Sequence, residues 1–142
     1  MNMFDYEGDG SEDEATLYSL SREYLEAAKT LNGVPPTRVN YEIVTYYLLG
    51  HAAELSLKSY LFKKNISIKD LRKVGHDLNS LLGKAHEFGL KSFPSIRDLS
   101  PIYNAKKLEY RQRSRETFPS VDSLIEEISK LQSIVFDHVC EF

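Results

Sequence analysis

One stretch, Tyr41 to Lys63 (YEIVTYYLLGHAAELSLKSYLFK), constrains the fold of this chain more than any other. Set on a helix of 3.6 residues per turn, Val44, Leu48, Leu55 and Phe62 make one apolar ridge. Leu49, Ala53, Leu57, Tyr60 and Leu61 cover most of the remaining circumference. A helix that is apolar nearly all round is buried on several sides. This one is therefore expected to be the central post of a helical domain. Gly50, Ala52, Ala53, Ser56 and Ser59 are small enough to let neighbouring helices approach. One narrow arc differs: Tyr47, His51, Glu54 and Lys58, at i, i+4, i+7 and i+11, form a polar stripe. Its charges, with Glu42 and Lys63, break the unbroken apolar run that a membrane span requires.

Upstream of this helix, residues 1–10 hold two glycines and a high density of like charge, and read as a flexible acidic lead. Ser11-Glu12-Asp13-Glu14 then has the form of a capping box. Leu17, Leu20, Tyr24, Ala28 and Leu31 follow at helical spacing, and Asn32-Gly33 with Pro35-Pro36 stops the run. The central helix is expected from near Arg38 to Lys64. Ser67 and Asp70 cap a short helix through Ile68, Leu71 and Val74, which Gly75 interrupts. His76 or Asp77 caps the next, with Leu78, Leu81, Leu82, Ala85 and Phe88 inward. Residues 91–101 contain two prolines and read as a loop with room for a helical turn, followed by a weaker helix from about Pro101 to Arg113. The last helix starts at Pro119-Ser120 and buries Val121, Leu124, Ile125, Ile128, Leu131, Val135 and Val139. No period-2 strand pattern occurs. The expected class is all-α: an up-and-down bundle of four main helices plus one or two short ones, in a single domain over residues 11–142.

Length and charge bound the function. A chain of 142 residues buries a core without disulfide or metal support. Its single cysteine, Cys140, forms no intrachain bridge, which fits a reducing, cytoplasmic setting. The start MNMFDYEGDG has neither the basic nor the apolar region of a signal peptide. Residues 1–14 carry a net charge of −6, so the net −3 of the whole chain hides a body of +3. That balance is compatible with a nucleic-acid partner without requiring one.

Several chemistries are excluded by pattern. Glu-x-x-His is absent, so a carboxylate-bridged di-metal bundle is not expected. No glycine-rich phosphate loop, His-Glu-x-x-His or Gly-x-Ser-x-Gly occurs. No metal and no cofactor are expected. Three constellations remain. The stripe Tyr47, His51, Glu54 and Lys58 reads first as structural, with Glu54 and Lys58 an i,i+4 pair in the favourable order, and second as a ligand contact. In LRKVGHDL, His76 can serve as acid or base near neutral pH and Arg72 can stabilise phosphoryl charge. The plainer reading has Gly75 turning the chain while His76 and Asp77 cap a helix. The third is the segment 104–118, where Lys106, Lys107, Arg111, Arg113 and Arg115 outnumber Glu109 and Glu116 by three, interleaved with Tyr103 and Tyr110. Arginines contact phosphates and aromatics stack on unpaired bases. A solvated helix end would carry the same residues.

HAAELSLKSYL, then LRKVGHDLNSLLGKA, then LEYR, in that order, resemble the HEPN superfamily of nucleotide-binding helical domains over roughly residues 13–140. The resemblance implies an up-and-down bundle that dimerises, and an RNA, nucleotide or protein ligand, the last including minimal nucleotidyltransferases. Nuclease members carry Arg-x(4–6)-His in each subunit and cut RNA without metal at the dimer cleft. Here no histidine follows Arg115 until His138, and Arg72 is separated from His76 by three residues. The expected function is therefore a non-catalytic or degenerate HEPN-like module that binds RNA, nucleotide or a partner protein. A metal-independent ribonuclease using His76 with Arg72 or Arg111–Arg115 is the alternative, and a purely structural dimerising helical protein is the third reading. A homodimer is expected on a further ground, that Tyr41, Tyr46 and Tyr60 are apolar surface in excess of one bundle's needs.

Overall fold

The computed structural model describes residues 13–35, 41–104 and 118–139. Among them are six helices and no strand: α1 (Glu14–Asn32), α2 (Glu42–Lys63), α3 (Ile68–Val74), α4 (Leu78–Glu87), α5 (Pro94–Asn104) and α6 (Val121–Val139). The protein is an all-α helical bundle. Helix α2 packs against each of the other five, most extensively against α1 and then α6. Thirteen of its 22 residues are buried, which makes it the central post its composition demands. No described helix is long and apolar enough to cross a membrane.

Local chemistry sets the boundaries. Asp13 caps α1, its Oδ1 accepting the Thr16 N–H at 2.7 Å. The expected capping serine, Ser11, lies outside the described residues, as does the acidic lead. Leu17, Ser21, Tyr24, Leu25 and Ala28 form the buried stripe of α1. Ser67 caps α3 through the Asp70 N–H, and Asp77 rather than His76 caps α4 through Ser80. Helix α2 begins at Glu42, with Tyr41 at its N-cap, and the stretch before it, 36–40, is undescribed. The expected helix from Pro101 to Arg113 is corrected where it can be followed: the helix begins at Pro94 and includes Pro101. Pro94 sits at the first helical position, where a missing N–H costs nothing. The next two amides, of Ser95 and Ile96, donate to the Glu127 carboxylate of α6 at 2.9–3.1 Å. Prolines in the local sequence read as breakers, but a cap supplied from a distant helix overrides them.

Burial corrects four further expectations. Val44 is 46 % exposed, so the ridge it was to begin faces outward at that end. Phe88 follows α4 as its C-cap and is 42 % exposed. Tyr46 and Tyr60, read as surface aromatics, are buried. Tyr46 donates to the Pro119 carbonyl at 2.8 Å and Tyr60 to the Phe88 carbonyl at 3.1 Å. A tyrosine carries a large apolar body with one polar tip, and a backbone carbonyl satisfies the tip. Of the aromatics cited for dimerisation, Tyr41 stays exposed.

Candidate functional site

Glu54 organises a polar cluster in the middle of the bundle. It sits on the inner face of α2, 2 % exposed, at the point where α2, the α3–α4 turn and α5 meet. Three groups converge on its carboxylate. Lys58, one turn on, reaches Oε2 at 3.0 Å. His76 Nδ1 reaches Oε1 at 2.6 Å, and the Tyr103 hydroxyl reaches the same oxygen at 2.8 Å. The Tyr103 oxygen also lies 2.7 Å from His51 Nδ1.

Sequence position explains how each group arrives. His51, Glu54 and Lys58 share one helical face. His76 is delivered by Gly75, whose φ of 65° lies in the left-handed region that glycine enters without strain. The chain ends α3 there and doubles back toward α2. Tyr103 arrives from α5, whose buried face is Ile96, Leu99, Ile102 and Tyr103. Its ring lies directly over Gly50: a Cβ at that position would sit 2.4–2.9 Å from three of its ring atoms. Glycine in mid-helix is what lets Tyr103 lie across α2.

Hydrogen-bond directions follow from the inventory of donors. Burial alone pushes the Glu54 carboxyl up, but the His76 hydrogen bond and the Lys58 charge outweigh it, and the carboxyl is held below its ordinary value. An ionised carboxylate only accepts. Tyr103 therefore donates its O–H to Glu54, and His76 donates Nδ1–H to the same oxygen. With its proton spent, the Tyr103 oxygen accepts, so His51 carries its proton on Nδ1. Burial, and then the negative charge of Glu54, push the Tyr103 hydroxyl far above the ordinary tyrosine value, so it remains a neutral donor. The result is one chain of hydrogen bonds: His51, Tyr103, Glu54, His76. His51 and Tyr103 are buried like Glu54, whereas the His76 side chain is 35 % exposed. It is the member that meets solvent. Tyr47 flanks the cluster, its ring 4.6 Å from His51 and 6.1 Å from Tyr103.

Two constellations that are separate in sequence are thus one site in space. Tyr47, His51, Glu54 and Lys58 come together with His76. What His76 reaches is Glu54 of α2, whereas Arg72 is exposed on α3. Lys106, Lys107, Tyr110, Arg111, Arg113 and Arg115 lie outside the described residues. Tyr103, read from the sequence as an aromatic beside the basic segment, is instead a member of this buried cluster. Its position, i+4 from Leu99 and i+7 from Ile96, carries the signal once a helix is begun at Pro94. Among the described residues no group of three or more His, Cys, Asp or Glu is placed to hold a metal ion. Compared with protein-family models, curated proteins and solved structures, the chain matches none.

Proposed function

We propose that this protein is a HEPN-like helical module that binds RNA or a nucleotide through its phosphate, without cleaving it, and that it does so as a homodimer or beside a protein partner. The observation that carries the reading is the 2.6 Å contact between His76 and Glu54. A carboxylate on Nδ1 fixes the ring and turns its Nε2 edge the opposite way, and the side chain is one-third exposed. Lys58 already balances Glu54, so a protonated His76 makes the cluster net positive and suited to an anion. Cleavage by acid–base catalysis needs a base and an acid on opposite sides of the phosphodiester. His51, Glu54 and Tyr103 are too buried to supply the second group.

The same contact supports a second reading, a metal-independent ribonuclease. A carboxylate-oriented imidazole is the arrangement that makes histidine an effective general base. In a dimer, an arginine of the basic segment would stabilise the developing phosphorane charge, and solvent would protonate the leaving oxygen. One pair of measurements separates the readings: RNA binding against salt, and cleavage of labelled RNA in chelator. The binding reading expects salt-sensitive affinity, a several-fold loss in His76→Ala, and no cleavage. Replacing Arg111, Arg113 and Arg115 by alanine should flatten the salt dependence by about two to three units of slope. Metal-free cleavage lost in His76→Ala would promote the nuclease. A wild-type protein that neither binds nor cuts RNA defeats both and leaves the structural reading.

A further inference from the structure

Helices α1 and α6 face each other across a cleft of about 520 Å3. That is the size of a small-molecule site, which spans roughly 300–1,000 Å3. Its α6 wall presents Ser129, Gln132, Ser133 and Phe136, at i, i+3, i+4 and i+7 on one helical face. Tyr18 of α1 stands opposite, its ring 5.8 Å from that of Phe136. Gln132 is the informative member, because only 4 % of it is exposed. Its Nε2 donates to the Ser21 carbonyl at 3.0 Å and shares its second hydrogen between the Ser21 and Ser56 hydroxyls, at 3.3 and 3.4 Å. A carbonyl only accepts, so the amide nitrogen is fixed on that side and Oε1 on the other. Neither hydroxyl has a proton to return. Ser21 gives its proton to the Tyr18 carbonyl at 2.6 Å, and Ser56 gives its own to the Ala52 carbonyl at 2.7 Å. Among the described residues no group donates to Oε1. That oxygen is not enclosed, and it opens on the cleft. A nearly buried amide acceptor is thereby presented to whatever enters.

We infer a second binding site in this cleft, for a flat, uncharged heterocycle that carries an amino group beside a ring nitrogen, as aminopurines and aminopyrimidines do. The amino group donates to Gln132 Oε1. The hydroxyls of Ser129 and Ser133 lie on the same helical face and can donate to the neighbouring ring nitrogen. The ring packs on Phe136, which is 48 % exposed. Charge selects an uncharged ligand, because Arg22 and Lys29 in the lining are matched by Glu26 and Asp137. Lys29 already pairs with Glu26 at 3.6 Å. A phosphate gains little from such a balance, which separates this site from the one at His76. A purely aliphatic ligand would cover Oε1 without supplying a donor.

The test titrates adenosine into the full-length protein, with purine riboside, which lacks the amino group, as the matched control. Backbone amide signals of Ser129, Gln132, Ser133 and Phe136 should shift saturably at millimolar concentration, while those of Leu81 and Leu99, in the core of α4 and α5, stay in place. Purine riboside should bind about three- to tenfold more weakly, the range of one hydrogen bond. Phe136→Ala should weaken adenosine about tenfold by removing the stacking face, and its melting curve should stay close to wild type because the ring is half exposed. Gln132→Leu should make the two ligands bind equally. Should that variant fail to fold, Ser133→Trp, at an exposed position on the cleft wall, should abolish the shifts. Absence of a saturable shift, equal binding of the two ligands to the wild type, or undiminished binding in Phe136→Ala would overturn the proposal. His76→Ala should leave adenosine binding unchanged, whatever the outcome for RNA. A loss there would move the ligand to His76 and overturn the proposal too.

Discussion

Gly50→Ala is the sharpest test of how the site is assembled. In an ordinary helix the change stabilises, because alanine loses less backbone entropy than glycine, by about 1 kcal/mol. Here the new methyl meets Tyr103 Cδ1 at 2.4 Å, Cε1 at 2.6 Å and Cγ at 2.9 Å. Those atoms are the root of an aromatic ring, not the far end of a flexible chain. Overpacking of this kind costs about 1–3 kcal/mol. The ring cannot swing aside without surrendering its bonds to Glu54 and His51, and an unsatisfied buried group costs a further 1–3 kcal/mol or so. The helix gain of about 1 kcal/mol is outweighed, and a net loss of roughly 1–5 kcal/mol is expected. For a chain of this length that lowers Tm by roughly 3–20 °C. Thermal unfolding followed by circular dichroism reads it directly. Gly83→Ala is the internal control: it lies in α4, and a Cβ there meets nothing within 4 Å. It should hold or raise Tm, by up to about 1 kcal/mol of stability. In a Tyr103→Ala background the Gly50→Ala penalty should vanish. A Gly50→Ala protein as stable as wild type would refute the placement of Tyr103 over α2, and with it the site.

Three further perturbations probe the cluster and its scaffold. Glu54 has a folded-state value below its ordinary 4.5, so its stabilisation is complete above that pH and is lost as pH falls through the lower folded value. Glu54→Gln should flatten that acid limb and cost about 3 kcal/mol at neutral pH, because His76 and Lys58 lose their partner; an unchanged acid melting profile contradicts this. Tyr103 is shifted the other way, so its contribution is present below its ordinary value of 10 and fades as pH rises above it. Tyr103→Phe should cost about 1–3 kcal/mol at pH 7 and remove its share of the alkaline loss, to which buried Tyr24, Tyr46 and Tyr60 also contribute, read by urea midpoints across pH 7–11. Asp13→Ala deletes the α1 cap and should cost about 1 kcal/mol; a Tm within error of wild type would mean that the first turn frays without consequence.

What the sequence could and could not convey follows from the range of each interaction. Helix α2 was legible because its apolar residues cover most of the circumference, and only a central position buries so many of them. The stripe Tyr47, His51, Glu54 and Lys58 was legible because its members are one or two turns apart on one helix. Its depth was not. Nothing in the spacing says that Glu54 is buried, because the groups that make burial tolerable come from His76 and Tyr103, 22 and 49 residues away. The same holds for α5. Two prolines hide it locally, and the carboxylate that caps it belongs to Glu127, 32 residues after Ser95. Gly50 shows the limit most clearly. In sequence it is a weak point in a strong helix and carries only a general licence for close packing. In the fold it is the one residue of α2 whose missing side chain decides whether Tyr103 reaches Glu54, and so whether His51 and His76 belong to one site or two.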